Sequence, residues 1–223
     1  MDNADDYREK LTEARQNAAK CGRKGTEAAL DAHWEVCCGD VLIAEENMQD
    51  QDREWENASL ARDFLNIAYF LEGYDDRLDN LYIAIQRMRG TISNHPRLTI
   101  ELLELEHTVI RRIEALCDHE LDASEAVEAE LAYYRQNVEY ADKGRFDKIF
   151  FKGYLKRDPI EWSEKYEKII DEANKKIYAL LEDYPRGMGF CLAYWSVKEK
   201  VLREDYGVKW KSPVIMNPGV IFD

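Results

Sequence analysis

Several short stretches of this chain carry side chains that could do chemistry. Glu101, Glu104 and His107 set two carboxylates and an imidazole along one helix face. The Glu-x-x-His spacing within them is the one that di-iron four-helix bundles use twice. No other glutamate here is followed by a histidine three residues on, so the spacing reads as a polar helix face, and neither a metal nor another cofactor is expected. Cys117-Asp118-His119-Glu120 is rich in ligand types, but neighbours at a helix end point in different directions and cannot converge on one ion. Cys37 and Cys38 are adjacent, yet a reactive thiol needs surroundings that favour the thiolate, which Glu35 and Asp40 oppose. Arg186-Gly187-Met188-Gly189 resembles half of an anion-binding turn at a helix start, without the third glycine or the GK[ST] ending of nucleotide loops. No nucleophile stands out, so no catalytic residue is assigned and an enzyme is not the favoured reading.

Two further features suit binding. Asp40, Glu45, Glu46, Asp50, Asp52, Glu54 and Glu56 stand against Arg53 alone, and like charges at this density predict an exposed, mobile connection. The last third concentrates Tyr194, Trp195, Tyr206, Trp210, Met216 and Phe222, the kinds of side chain enriched in interface cores. With Arg186, the residues Tyr194, Trp195 and Trp210 are also where a small-molecule pocket would form.

The elements that must position these groups are helices. Leu60, Phe64, Ile67, Leu71, Tyr74, Leu78, Leu81, Ile85 and Met88 alternate steps of four and three, the period of a packed helix face, which predicts one long central helix. Gly73 lies inside it, at a cost of only ~1 kcal/mol relative to alanine. The same spacing predicts a first helix over Asp5–Cys21 ending at Gly22, and a second starting at Thr26 with small Cys37 and Ala44 on its inner face. A fourth over Arg97–Cys117 carries a second stripe of Ile100, Leu103 and Ile110, and a fifth ends at Gly144. Asp158-Pro159-Ile160-Glu161 combines a cap, a proline and an acidic third residue, and so predicts the start of a sixth helix that runs to Asp183. A seventh stops at Gly207. The expected fold is all-α, an elongated antiparallel bundle of about six to seven helices with an ordered aromatic C-terminal tail. Residues 1–144 form the acidic bundle and 145–223 a helical extension with the tail, packed on the same domain.

Net charge sharpens the reading. Of the 223 residues, the first 142 carry 32 acidic and 15 basic side chains, the remainder 13 and 16. An acidic field of that size repels nucleic acid and membranes and favours a partner with a basic surface, besides serving solubility. The N-terminal MDNADDYREK lacks the basic start and apolar stretch of a signal peptide, and no run of about 18 apolar residues occurs, so a cytoplasmic protein is expected. Five cysteines without CxxC spacing are expected as reduced thiols.

In the last third, DPIEW, GMGFC, YW, YG and WKSPVIMNPGVIFD together resemble a C-terminal signature shared by a family of uncharacterised bacterial proteins, some carried on phages or mobile elements. The resemblance implies no activity and transfers no site residues; it favours an inhibitor, immunity or regulatory protein. The expected function is a non-enzymatic protein-binding module of inhibitor, immunity or adaptor type, including mimicry of nucleic acid by helical carboxylates. The alternatives are a small-molecule or anion site in the C-terminal third and a structural, self-associating component.

Overall fold

Helix α1 (Asn3–Cys21) stops where Gly22 takes φ 64°, a left-handed conformation that glycine adopts without strain, and the Gly22 N–H closes on Ala18 O at 2.9 Å. Helix α2 (Glu27–Asp50) then packs back on it. The two helices come close at Gly39, where an added Cβ would lie 2.9 Å from Leu11 Cδ1 and 3.3 Å from its Cβ. A larger residue there would require the Leu11 side chain to shift. The computed structural model describes residues 3–50 and 53–222. Among them are nine α-helices and no strand, and no helix is long and apolar enough to cross a membrane.

The expected central helix is two. Helix α3 (Asn57–Leu71) ends in a turn through Gly73, Asp75–Arg77 form one turn of 3-10 helix, and α4 (Leu78–Gly90) follows. Side chains from elsewhere hold the break open. Arg112 donates to the Glu72 carbonyl and to the Asp75 carboxylate, while Arg77 bridges Glu27 at 2.5 Å and Asp31 at 2.9 Å. Leu71 and Leu78 on either side are both fully buried, so the apolar period runs through the interruption and does not reveal it.

Helix α5 (Pro96–Cys117) does carry two buried stripes. Leu98, Leu102, Leu105 and Val109 join the core formed by α1 to α4, and Leu103 and Ile110 pack with Val127 and Leu131 of α6 (Asp122–Asp142). Where it is described, the acidic stretch after Asp40 is ordered rather than a loose connection: α2 carries it as helix to Asp50, and a 3-10 turn over Glu54–Glu56 leads into α3, while positions 51 and 52 lie outside the described residues. A buried polar network ties α2 to the start of α3. Asn57, 1% exposed, donates through Nδ2 to Ala44 O at 3.0 Å and Thr91 O at 3.1 Å, and its Oδ1 accepts from Asn47 Nδ2 at 2.8 Å. Arg8 of α1 completes the chain through Asn47 Oδ1 and Glu56 Oε2, at 3.0 and 2.7 Å.

The chain divides into two compact units, Met1–Ser93 with Arg97–Tyr134, and Asn94–Pro96 with Arg135–Asp223, so the boundary falls within α6. In the second unit the expected sixth helix starts later than its sequence signal. Asp158 caps a 3-10 turn, Pro159–Trp162, and Ser163 then caps α7 (Glu164–Leu180) by accepting from Tyr166 N at 3.2 Å. Helix α8 (Phe190–Tyr206) follows, and a short α9 (Pro213–Met216) lies in the tail. The tail is strapped to its own unit. Lys211 N donates to Asp158 Oδ2 at 2.6 Å, Trp210 Nε1 to Glu161 Oε1 at 2.7 Å, and Asn217 exchanges hydrogen bonds with the Lys156 backbone, both at 2.8 Å.

Replacing Asn57 by alanine removes a hydrogen bond from each of Ala44 O and Thr91 O and leaves Asn47 Nδ2 without its acceptor, at about 1–3 kcal/mol for a buried group left unmade. Urea unfolding of Asn57→Ala is expected to show a loss of about 3 kcal/mol, against about 0.5 kcal/mol or less for Asn80→Ala on an exposed face of α4.

Candidate functional site

The acidic residues singled out by the sequence fare differently from one another. Asp40 is fully buried, and its Oδ1 accepts from Arg15 Nη2 at 2.9 Å. Glu45 takes both Nε and Nη2 of Arg87, at 2.8 and 2.7 Å, and Glu56 takes Arg8. Glu46 and Glu54 are half-buried, while Asp52 and the side chain of Asp50 lie outside the described residues. Much of this charge is therefore spent on the fold.

Unspent carboxylates gather elsewhere, at the turn between α5 and α6. From Asp118 to Glu128 five carboxylates face no lysine or arginine in the sequence. Asp118, Glu120, Asp122 and Glu125 are all exposed, with Leu116 and Leu121 exposed among them at 57% and 36%. The turn has its own internal support. Buried Glu114 accepts the Leu121 N–H at 2.7 Å and Arg111 Nη1 at 2.8 Å, His119 N reaches Glu114 O, and Asp118 adopts φ 50°. Asp122 and Glu125 lie in the first turn of α6, where the helix dipole favours negative charge. His107 points its Nε2 at Glu128 of α6, 2.9 Å away, and among the described residues no three His, Cys, Asp or Glu side chains gather to hold an ion.

A second polar surface is concave. Between α1, α2 and α3 lies a cleft of about 410 Å³, with Arg15, Arg23, His33, Asp63 and Asn66 on its walls and Ala18 and Val36 beneath. Arg15 Nη2 is shared between Asp40 and Asp63 Oδ2, the latter at 2.8 Å, and so ties three helices together. Arg23 Nη2 donates to the carbonyl and the side-chain oxygen of Asn66, at 2.9 and 2.8 Å. His33, 5% exposed, packs its ring on Phe70 and sets Nδ1 2.7 Å from Ala29 O; a carbonyl only accepts, so Nδ1 carries a proton, and whenever the ring is neutral Nε2 is its acceptor. Behind this wall, burial pushes the Asp40 carboxyl up to about 7, against the pull of Arg15 and with a further push from Asp63. Its Oδ2 has no hydrogen-bond partner among the described residues.

The C-terminal candidates do not converge on an open site. Trp210 is 4% exposed in the core of the second unit, with the Lys198 ammonium 4.8 Å from its ring. Trp195 meets the edge of Phe222, and the Arg186 guanidinium stacks on Phe190 at 4.3 Å and Tyr178 at 5.3 Å. Both vicinal thiols resist ionisation: burial raises Cys37, helped by Asp40, and burial raises Cys38 despite Arg87.

None of the cleft residues was singled out by sequence. Arg15 and Asp63 sit beside apolar stripes, not within a motif, and His33 is one residue short of Trp34 in its stripe. In comparisons with protein-family models, with curated proteins and with solved structures, nothing matches this chain.

The raised Asp40 carboxyl has a signed consequence. Folded, it titrates near 7; unfolded, near the ordinary value of about 3.9, so between these values the folded chain holds the extra proton. Its contribution to stability is full below about pH 4 and is lost as pH rises through about 7. The unfolding free energy of the wild-type chain minus that of Asp40→Asn should fall by about 1.4 kcal/mol per pH unit from about pH 5 to 7 and level off above. A difference independent of pH contradicts the assignment.

Proposed function

We propose that this chain is a non-enzymatic protein-binding module of inhibitor, immunity or adaptor type, which meets a basic partner through the acidic turn between α5 and α6. The observation that carries this reading is the contrast in how charge is used. Asp40 and Glu45 of α2 and Glu56 of the turn before α3 are drawn into pairs with Arg15, Arg87 and Arg8, whereas Asp118, Glu120, Asp122 and Glu125 stand exposed around Leu116 and Leu121. Apolar anchors ringed by charge suit an interface in which burial supplies affinity and the field supplies orientation and rate. The hold of Glu114 on the turn lowers the ordering cost of binding. Carboxylates on a helical turn also suit the basic groove of a nucleic-acid-binding protein, so mimicry of nucleic acid is the sharpest form of the reading. Self-association and a pocket built on Trp210 have no comparable observation behind them.

The test is capture from lysate on the tagged chain at low and at moderate salt. The expected result is a basic protein in stoichiometric yield that is lost as salt rises. The variant D118N/E120Q/D122N/E125Q should weaken its capture at least about tenfold, while Glu46→Gln leaves it within about twofold. Recovery of the same protein by both variants, with no dependence on salt, would contradict the assignment of the surface.

A further inference from the structure

The cleft between α1, α2 and α3 shares no residue with the acidic turn and calls for a different kind of ligand. We propose that it binds a small oxyanion, a carboxylate or phosphate group in a molecule that also carries a hydroxyl, through the guanidinium groups of Arg15 and Arg23 and the Nε2 of His33. Its volume of about 410 Å³ lies in the range of small-molecule sites.

Three observations carry the assignment. Both guanidiniums use only Nη2 for internal partners, so the Nε and Nη1 N–H groups of Arg15 and Arg23 are without hydrogen bonds among the described residues. Arginine N–H groups are suited to carboxylate and phosphate oxygens. His33 is held in place by Ala29 O and Phe70, with a bare acceptor nitrogen and a ring that lines the cleft. An acceptor fixed beside two cations selects a ligand that brings a donor along with its negative charge, as a hydroxy acid, a sugar phosphate or hydrogen phosphate does. The floor of Ala18 and Val36, 6% and 1% exposed, offers no competing polar atom from its side chains and excludes water on that side.

Asp40 modulates the site from behind. The charged and titratable groups that face it are Arg15 of α1, Asp63 of α3 and Cys37 on its own helix. When Asp40 is protonated, Arg15 has only Asp63 to neutralise it and presents more positive charge to the cleft. Oxyanion affinity therefore rises as pH falls through about 7, and by linkage a bound oxyanion raises the Asp40 carboxyl further.

The experiment is a ¹H–¹⁵N NMR titration of the full chain at about pH 6 with inorganic phosphate, glycolate and sulfate in separate series. Amide shifts confined to residues 15–23, 33–36 and 63–67 should saturate by about 20 mM with phosphate or glycolate, and at least about threefold higher concentration should be needed for sulfate, which lacks the donor. Whichever of phosphate and glycolate saturates first identifies the source of the oxyanion. Arg23 is exposed and holds only Asn66, so Arg23→Gln should keep the fold by circular dichroism and weaken binding about tenfold. His33→Phe should erase the preference over sulfate. Absence of saturation at these residues, or equal binding by Arg23→Gln, overturns the site. Sulfate keeps its charge over the range, so it serves the pH arm, run on the His33→Phe background so that no imidazole faces the ligand: its affinity should fall from about pH 6 to 8 in His33→Phe and stay level in His33→Phe/Asp40→Asn. The same slope in both chains overturns the coupling.

Discussion

A carboxylate on the inner face of α2 has to be compensated where it stands, and Arg15 is the group that does it. Asp40 is fully enclosed, and the one guanidinium that reaches it comes from the partly exposed side of α1 and touches Asp63 of α3 as well. Removing a buried charge from water costs several kcal/mol, and a single hydrogen bond to a half-exposed arginine offsets only part of that. The balance is met by the carboxyl itself, which holds its proton up to about pH 7. The three helices are thereby joined at a point whose charge is not fixed at physiological pH, and that point is also the wall of the cleft.

The same economy runs through the first unit. Glu106, fully buried, faces Arg89 at 3.0 Å, and Arg89 also donates to Glu130 at 3.0 Å; burial still lifts the Glu106 carboxyl above its ordinary value. Arg112 serves Glu72 and Asp75 at the break before α4, and Arg77 serves Glu27 and Asp31. In this strongly acidic unit Arg8, Arg15, Arg77, Arg87, Arg89 and Arg112 thus bridge separate elements. The carboxylates of the turn from Asp118 to Glu125, by contrast, stand exposed with no arginine bridge among the described residues.

The helices were legible because the apolar period of α1, α2, α5 and α7 is also the period of their burial. The break at Gly73 was not, since Leu71 and Leu78 keep phase across it and the groups that hold it open, Arg77 and Arg112, reach Glu27 of α2 in one case and out of α5 in the other. Asp40 could have been read. Positions 37, 40, 41, 44 and 47 share one face of α2, and a carboxylate and an amide at 40 and 47 are core residues by the same count that places Cys37 and Ala44 inside. Charge density pointed instead to solvent, and helix phase prevailed. The cleft had no signature at all, because Arg15, His33 and Asp63 come from three helices and meet only once those are packed.

In the second unit the aromatic tail does its work within that unit, through Trp210 on Glu161 and Asn217 on the Lys156 backbone, which explains an apolar content that a solvated tail would not carry. In the first unit, the junction of α1, α2 and α3 depends on the protonation of Asp40. The most direct measurement is the ¹³C shift of the Asp40 side-chain carboxyl followed through pH in the folded chain, assigned by its loss in Asp40→Asn. A midpoint near 7 is the predicted result; a midpoint at the ordinary aspartate value of about 3.9 would contradict the link between the buried carboxyl, Arg15 and the cleft.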